Sequence, residues 1–420
     1  MMPFIADLHL HSRYSRATSR EMEVESLARW GRKKGIALLG TGDFTHPTYF
    51  AELKAKLTPA EPGLYRLKKG EQSIRFILQV EICNIYHEGG RLRKIHTLLY
   101  APSLQAAERL NAGLARRGNL LADGRPTFGF SVKELCRIVF DLSPDSVLIP
   151  AHAWTPWFSV FGSQSGFDSL QEAFDGYLDR IFAIETGLSS DPAMNWRLSA
   201  LDRITLMSNS DAHSPSRLGR ECNVFAHPLD YWELWEAVRT RDRGRFLYTV
   251  EFFPEEGKYH LDGHRACGVR TTPTETRACG NCCPVCRRPL TVGVLHRVED
   301  LADAPPGRTP DGALPFKSLV PLEEIIASAI DQRVGTVAVR QEYDRLVAAG
   351  QSEFAILLDL GREELRPFVP SRILEAIVRV RERRLTIVPG YDGVYGTIKI
   401  FGDESSEASS LPQAAQTQLF

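Results

Sequence analysis

The sequence lacks an excess of charge of either sign. Lysine and arginine number 51 and aspartate and glutamate 52, so the formal net charge is −1. This balance excludes a globally basic nucleic-acid-binding protein, and any contact with DNA or RNA has to come from local patches. Long apolar runs are missing as well, since none approaches the ~18 residues that a membrane span requires. We therefore expect a protein without a membrane partner.

The N-terminus lacks the basic segment that precedes the apolar core of a secretory signal, which predicts a cytoplasmic protein. Cysteine is scarce outside one segment, because five of the eight cysteines fall between positions 267 and 286. A disulfide framework would distribute cysteines along the chain, whereas a metal site gathers them. This segment is therefore expected to bind a metal ion.

Seven short apolar runs in the first half of the chain predict β-strands. They span residues 4–8, 36–39, 75–80, 95–100, 147–149, 181–184 and 204–207. Helical patterns separate most of them, which favours parallel β/α units. The third and fourth runs are too close for a crossover helix, and the turn Glu88-Gly89-Gly90 between them predicts a local antiparallel irregularity.

Nearly every one of these runs ends in a side chain that can bind a metal ion. In a β/α barrel the carboxyl ends of the strands converge on one face, so these side chains should meet there. The predicted metal ligands are His9, His11, Asp43, Glu81, His96, His152, Asp211 and His213. The predicted catalytic carboxylates are Asp43, Glu81, Glu185 and Asp211, with substrate binding as the alternative role of Glu185.

Such a mixture of carboxylates and imidazoles suits a cluster of two or three divalent ions. Carboxylates can bridge two cations while neutral histidines complete each coordination shell. Zn²⁺, Mn²⁺ or Fe fits the histidine positions better than Mg²⁺ does, because Mg²⁺ prefers oxygen ligands.

A second metal site is predicted in the cysteine-rich segment. The sequence Cys-Pro-Val-Cys at 283–286 places two thiolates on one turn, as structural zinc sites require. His-Arg-Ala-Cys at 264–267 has the same spacing. The favoured ligands of one structural zinc ion are His264, Cys267, Cys283 and Cys286, with Cys279 or Cys282 as the alternative to His264.

Aromatic and basic side chains suggest contacts with a nucleic acid. Trp154 and Trp157 closely follow His152, where they could stack on an unpaired base or simply pack a loop. Arg379 and Arg383 belong to an arginine-rich helical stretch. They could contact phosphates, or they could form a solvated helix face.

The last residues, 403–420, have a polar composition that predicts a disordered tail. The tail ends in Gln416, Thr417, Gln418, Leu419 and Phe420. Two apolar residues at the end of a polar tether suggest a peptide that binds in a groove. The Gln-x-x-Leu-Phe pattern resembles the bacterial sliding-clamp-binding motif, so a sliding clamp is an expected partner of Gln416, Leu419 and Phe420.

The ligand motifs of the first half resemble those of the PHP (polymerase and histidinol phosphatase) superfamily. They are Asp7-Leu8-His9-Leu10-His11-Ser12, Thr41-Gly42-Asp43, Val80-Glu81, His96, Ala151-His152 and Ser210-Asp211-Ala212-His213. The resemblance implies a distorted seven-stranded β/α barrel with up to three catalytic metal ions. The motifs depart from the superfamily pattern at Asp43, where a histidine is common.

Together with the barrel motifs, four further segments resemble the endonuclease Q family. They are residues 259–265, 283–286, 293–298 and 390–396. The resemblance implies a nucleoid-associated enzyme that cleaves duplex or single-stranded DNA on the 5′ side of uracil, hypoxanthine, xanthine or an abasic site. It also implies a pocket for the extruded nucleotide, for which we expect the loops after His152 and Glu185, including Asn195.

The chain is accordingly expected to be an α/β protein with a PHP-type distorted (β/α)7 barrel, a small zinc-binding module and a mainly helical C-terminal domain. The predicted bounds are 1–253 for the catalytic barrel, 254–300 for the zinc module and 301–402 for a DNA-contacting helical domain. Two other functions fit parts of the sequence. A small-molecule phosphomonoesterase similar to histidinol phosphatase needs only the barrel, and a DNA or clamp adaptor needs no catalysis.

Overall fold

The computed structural model describes residues 3–402, so the predicted tail peptide with Gln416, Leu419 and Phe420 lies outside the described residues. The strands are β1 (Phe4–Asp7), β2 (Leu38–Gly40), β3 (Leu57–Pro59), β4 (Tyr65–Leu67), β5 (Arg75–Glu88), β6 (Arg91–Ala101), β7 (Thr127–Phe128), β8 (Val147–Pro150), β9 (Ala183–Glu185), β10 (Thr205–Met207), β11 (Cys222–Phe225), β12 (Phe246–Glu251), β13 (Asp262–His264), β14 (Val269–Thr271), β15 (Phe316–Ser318), β16 (Thr386–Val388) and β17 (Thr397–Lys399).

The α-helices are α1 (Val24–Lys34), α2 (Pro47–Lys56), α3 (Leu104–Ala115), α4 (Val132–Leu142), α5 (Leu170–Phe174), α6 (Pro192–Asn195), α7 (Tyr231–Thr240), α8 (Pro273–Ala278), α9 (Val294–Leu301), α10 (Leu322–Ala329), α11 (Val337–Gly350), α12 (Arg362–Leu365) and α13 (Ser371–Arg381). Within residues 3–402, no helix combines the length and the apolar composition needed to cross a membrane.

The seven predicted strands form the barrel. Strand β1 pairs with β2 and β2 with β5 in parallel, while β5, β6 and β8 pair antiparallel in that order. Strands β9 and β10 are parallel, and β9 lies beside β8. A bridge between Leu10 and Ala212 brings the segments after β1 and β10 together. The predicted α/β fold class is confirmed, including the antiparallel β5–β6 pair that distorts the barrel.

Alternate residues of β1 belong to two different cores, as the two-residue period of a strand requires. Phe4 and Ala6 join the core inside the barrel, whereas Ile5 packs in the outer core. Helix α7 contributes to the inner core and closes the amino-terminal end of the barrel, where the Tyr231 hydroxyl donates to the Asp145 carbonyl oxygen at 2.9 Å. The opposite end stays available for the predicted ligands.

The remaining elements extend this framework. Strands β11 and β12 continue the sheet antiparallel beyond β1, and β15 joins β12 in parallel. The C-terminal part is thus continuous with the barrel sheet through β15, and helices α10, α11 and α13 pack together behind it. Two hairpins, β13–β14 and β16–β17, lie near each other beside the segment 254–257.

A buried ion pair joins the barrel to the C-terminal helices. Lys34, the last residue of α1, has its Nζ 2.6 Å from Glu353 Oε2, and the two side chains are 4% and 5% exposed. The Tyr343 hydroxyl and the Leu322 N–H both donate to the Glu353 carboxylate. The ion pair is therefore almost fully shielded from water, and each charge is compensated mainly by the other.

Removing one partner of such a pair should be far more harmful than removing an exposed pair. We expect Lys34→Ala to lower the free energy of unfolding by about 3–5 kcal/mol, because Glu353 keeps an uncompensated buried charge. The neighbouring Lys33 contacts Asp344 at 2.8 Å, but both side chains are about half exposed. Lys33→Ala should therefore cost less than about 1 kcal/mol. Urea denaturation of both variants measures the difference, and equal effects would contradict a special role of the buried pair.

Candidate active site

Three predicted ligands from two strand ends form a first group. The Nε2 atoms of His9 and His11 lie 3.6 and 3.1 Å from Asp211 Oδ1. All three atoms are buried, and none forms a hydrogen bond within the described chain. Unpartnered buried polar atoms are costly, so their convergence fits a bound cation. The donor set of two imidazoles and one carboxylate matches the predicted type of site.

A second group lies directly beside the first. Glu81 Oε1 is 2.7 Å from His96 Nδ1 and 2.9 Å from His152 Nε2. The other carboxylate oxygen, Oε2, is 3.3 Å from His11 Nε2 and thus touches the first group. Each group has its ligand atoms within 4.8 Å of one another. Because one carboxylate can serve two cations, Glu81 is placed to link two neighbouring ions.

Glu185 stands behind His9 rather than in either group. Both of its oxygens lie 3.0 Å from His9 Nδ1, and its carboxylate also accepts hydrogen bonds from the His152 N–H and from Asn209 Nδ2. Histidine ligands commonly use their second nitrogen in this way, which fixes the direction of the first. The geometry gives Glu185 the place of a positioning residue.

Asp43 stands in the same relation to His11. Its Oδ1 lies 3.3 Å from His11 Nδ1, while Oδ2 accepts hydrogen bonds from the Ser12 N–H and hydroxyl and from the Ser15 hydroxyl. Both oxygens of Asp43 therefore have partners, and Asp43 lies outside both groups, in contrast to its predicted role as a direct metal ligand. His213 also lies outside them, with its ring 4.5 Å from that of His11.

The close packing of carboxylates and imidazoles shifts the pKa values of several groups in the site. Burial opposes protonation of His9, but Glu185 and Asp211 outweigh it and raise the pKa of His9 to about 9. Burial likewise opposes ionisation of Asp211, but His9 and His11 keep its pKa below the usual value. Burial lowers the pKa of His96 to about 4, so this imidazole is neutral and available as a ligand.

The backbone turns sharply where three of these residues leave their strands. Asp43, His152 and Asp211 have φ values of +43°, +30° and +47°, in the left-handed region that non-glycine residues rarely adopt. Each such residue costs roughly 1–3 kcal/mol, and such strain concentrates at functional sites. Gly187 allows one of these turns, because a Cβ atom there would lie 2.5 Å from the His152 Cβ.

Three further residues, which carry no predicted role, contact this centre. Asn209 binds Glu185, and Arg220 donates to the Ser210 and Asp211 carbonyl oxygens. Arg125 Nη1 lies 3.0 Å from Glu81 Oε2. Asn209 could have been found, since it directly precedes the Ser-Asp-Ala-His motif. No sequence motif marks Arg125. It lies just before the two-residue strand β7 and is 44 positions away from Glu81 in the sequence.

Two of the predicted substrate-binding residues are interior. Trp154 is fully buried, and its Nε1 donates to Asn195 Oδ1 at 2.7 Å. Asn195 is also buried, and its amide nitrogen donates to the Ser190 hydroxyl and the Asp191 carbonyl oxygen. These hydrogen bonds shape the loops behind the site, and neither side chain offers a face to a base in this structure.

Trp157 differs from Trp154, because 42% of it is exposed. Its ring lies 5.8 Å from that of Tyr259, and Lys258 Nζ lies 5.5 and 5.9 Å from the rings of Tyr259 and Tyr395. Tyr395 is 72% exposed. We call Trp157, Tyr259 and Tyr395 the aromatic surface. Thr155 Oγ1 joins it to the metal ligands, since it donates to the Trp157 carbonyl oxygen and lies 3.3 Å from His152 Nδ1.

The two predicted arginines lie on and after α13. Arg379 Nε contacts Glu375 Oε1 at 3.0 Å, and its guanidinium also lies over the Phe401 ring. Arg383 lies over the ring of Phe253, at 5.5 Å from the ring centre. Both side chains therefore take part in packing between the C-terminal helices and neighbouring segments, and their predicted contact with DNA stays a prediction.

The cysteine-rich segment gathers the four favoured zinc ligands. The ligand atoms of His264, Cys267, Cys283 and Cys286 lie within 4.8 Å of one another. Hairpin β13–β14 supplies the first two, and the turn at 283–286 supplies the others. Cys279 and Cys282, the alternatives to His264, lie outside this group, and Cys279 Sγ donates to the Thr276 carbonyl oxygen. The arrangement fits one tetrahedral zinc ion without an open position.

The zinc assignment predicts different results for neighbouring cysteines. We expect Cys286→Ser to remove one zinc ion per chain, because serine does not replace a thiolate ligand. Cys282→Ser, four residues away, should retain that ion. Metal analysis by mass spectrometry on both purified variants measures this. Loss of zinc from Cys282→Ser but not from Cys286→Ser would overturn the ligand set.

Comparison with known proteins assigns the chain to a family. A family model described as the MJ0043 C-terminal domain matches residues 321–384. The uncharacterized protein YqxK of Bacillus subtilis (strain 168) is 30% identical over 414 residues, which cover 95% of this chain and 100% of that protein. The solved structure of the lesion-specific endonuclease PfuEndoQ from Pyrococcus furiosus is 32% identical, with a TM-score of 0.84 over 95% of each chain.

A second solved structure is endonuclease Q in complex with a 27-mer duplex substrate that has an abasic lesion at the active site. It is 31% identical to this chain, with a TM-score of 0.82 over 95% of this chain and 96% of that one. The similarity to both structures spans the barrel, the cysteine-rich segment and the C-terminal helices. The chain therefore belongs to the endonuclease Q family.

Proposed function

We propose that this protein is a metal-dependent DNA repair endonuclease, which hydrolyses a phosphodiester bond next to a damaged nucleotide. The observation that carries the proposal is the convergence of His9 Nε2, His11 Nε2 and Asp211 Oδ1 as buried atoms without hydrogen bonds, beside a second group that contains Glu81. The full-length similarity to two endonuclease Q structures supports DNA as the substrate.

The roles of the residues follow from their positions. His9, His11 and Asp211 would hold one divalent ion, and Glu81, His96 and His152 a second. Bound there, such ions would supply Lewis acidity toward water and phosphate. Glu185 and Asp43 orient the two imidazoles of the first group from behind. His213 is the remaining candidate ligand for a third ion.

The expected lesions are an abasic site, uracil, hypoxanthine and xanthine, with cleavage on the 5′ side. The abasic site has direct support from the related complex, whose active site contains that lesion. The deaminated bases rest on the family resemblance of the motifs. Weak pairing at such lesions lowers the cost of extruding the nucleotide, which is itself a source of selectivity.

We further propose that residues 1–253 form the catalytic unit, 254–300 the zinc module and 301–402 a helical unit that contacts DNA. The aromatic surface takes one residue from each of these three units, with cationic Lys258 beside two of its rings. Aromatic rings flanked by cations suit stacking on unpaired bases. Binding of a sliding clamp by the C-terminal peptide stays a prediction from the sequence.

A nicking assay tests the catalytic proposal. With Mn²⁺ or Mg²⁺, the protein should nick labelled duplexes 5′ of an abasic site, uracil or hypoxanthine and leave undamaged duplex intact. We expect Asp211→Ala to reduce the rate by ~100-fold or more and to lower the content of divalent metal, since an ion loses its carboxylate ligand. Asp141→Asn, at an exposed position of α4, should behave as wild type.

The outcomes separate the alternatives. No nick in any damaged duplex, together with turnover of a phosphomonoester, would favour the small-molecule phosphatase. Cleavage at the abasic site alone would retain the endonuclease and refute the deaminated bases. Unchanged metal content in Asp211→Ala would contradict the ligand assignment.

The aromatic surface makes a prediction that does not require cleavage. If Trp157 stacks on a base, DNA binding should quench its fluorescence, and Trp157→Phe should abolish most of the DNA-dependent quenching. Trp232 is similarly exposed, at 48%, but lies on α7 at the closed end of the barrel. Trp232→Phe should leave the quenching unchanged. Equal quenching in wild type and Trp157→Phe would exclude Trp157 from the interface.

A further inference from the structure

Arg125 is placed against the metal ligands by strand pairing. Strand β7 pairs in parallel with β5, with Thr127 opposite Cys83. Two residues before this pair, Arg125 lies beside Glu81, and its Nη1 is 3.0 Å from Glu81 Oε2. About 30% of the Arg125 side chain is exposed, so it reaches both the buried carboxylate and the solvent.

The backbone around Arg125 is held in place at several points. The Asp123 carboxylate accepts hydrogen bonds from the N–H groups of Arg125 and Arg16, and the Gly124 N–H donates to the Tyr14 carbonyl oxygen. A Cβ atom at position 124 would lie 2.4 Å from Asp43 Oδ2. The segment therefore contacts the site directly and tolerates only glycine there, so Arg125 does not depend on a flexible loop for its position.

The guanidinium has hydrogen-bonding capacity to spare. Arginine offers five N–H donors in a fork that matches phosphate oxygens. Within residues 3–402, the Arg125 side chain forms one hydrogen bond, the one from Nη1 to Glu81. The other oxygen of the Glu81 carboxylate already contacts His96 and His152. A role in balancing the charge of Glu81 therefore does not explain the remaining N–H donors of the Arg125 guanidinium.

We propose that Arg125 binds a non-bridging oxygen of the scissile phosphate while its Nη1 stays on Glu81. This inference rests on the proposed function. Because Arg125 contacts the Glu81 carboxylate, a phosphate bound at an ion that Glu81 would hold also lies within reach of the Arg125 guanidinium. The guanidinium then offsets negative charge that grows on the phosphate oxygens, and Arg125 is a catalytic residue.

Kinetics of the metal-loaded protein test the proposal. On the abasic duplex, Arg125→Met should lower kcat by roughly 100- to 1000-fold, the usual effect of losing one donor to a developing oxyanion. Bound metal and melting temperature should match wild type, and Arg125→Lys should recover part of the rate. Arg137→Met removes an equally charged side chain from α4, where it pairs with Glu134 and Asp141, and should retain full activity.

Modified phosphates identify the contact itself. Sulfur in place of one non-bridging oxygen should slow the wild type for the diastereomer that faces Arg125, and Arg125→Met should lose that sensitivity. A duplex with a neutral methylphosphonate at the scissile position should bind wild type and Arg125→Met equally in fluorescence anisotropy.

Three results would overturn the assignment. A rate for Arg125→Met within about 3-fold of wild type would exclude a catalytic contact. A loss of metal would reduce Arg125 to a residue that orients Glu81, as would unchanged sulfur sensitivity. Failure of the wild type to nick any damaged duplex would refute the proposed function, and this inference with it.

Discussion

The site depends on one constraint: the imidazoles of His9 and His11, which follow β1, each lie between two carboxylates. His9 and His11 share a face of the chain because alternate residues of an extended segment do so. Glu185 and Asp43 hold their Nδ1 atoms from behind, and Asp211 faces their Nε2 atoms. The rear carboxylates thus favour the ring orientation in which the buried Nε2 atoms converge.

The same ligands lie beside sharp backbone turns at the carboxyl ends of the strands. The segments after β2, β8 and β10 turn through left-handed backbone at Asp43, His152 and Asp211. Those turns bring side chains from separate strands close together, and the packed core beneath them supplies the stability that offsets the strain. The antiparallel β5–β6 pair places Glu81 and His96 on adjacent strands near the same point.

The appended units extend the barrel rather than form isolated bodies. Strand β15 continues the barrel sheet, the Lys34–Glu353 ion pair joins α1 to the C-terminal helices, and Tyr259, just before hairpin β13–β14, contacts Trp157 of the barrel. The aromatic surface and the metal ligands are joined through Thr155 and His152. Recognition and chemistry would therefore take place on one continuous surface.

The amino-acid sequence alone predicted the seven barrel strands, most of the side chains that meet at their ends and the four side chains that meet around the Cys-x-x-Cys turn, because these features are local. Apolar runs set the strands, each run ends beside its own ligand, and Cys-x-x-Cys fits on one turn. Which of these side chains face the centre and which lie behind it depends on the tertiary structure. Along the chain, Asp43 resembles a metal ligand and Glu185 a catalytic or substrate-binding carboxylate. In the structure Asp43 contacts His11, 32 positions away, and Glu185 contacts His9, 176 positions away. The same holds for the buried Trp154–Asn195 contact and for the contact between Arg125 and Glu81. These contacts depend on strand register and barrel closure, which bring distant residues together without a local pattern in the sequence.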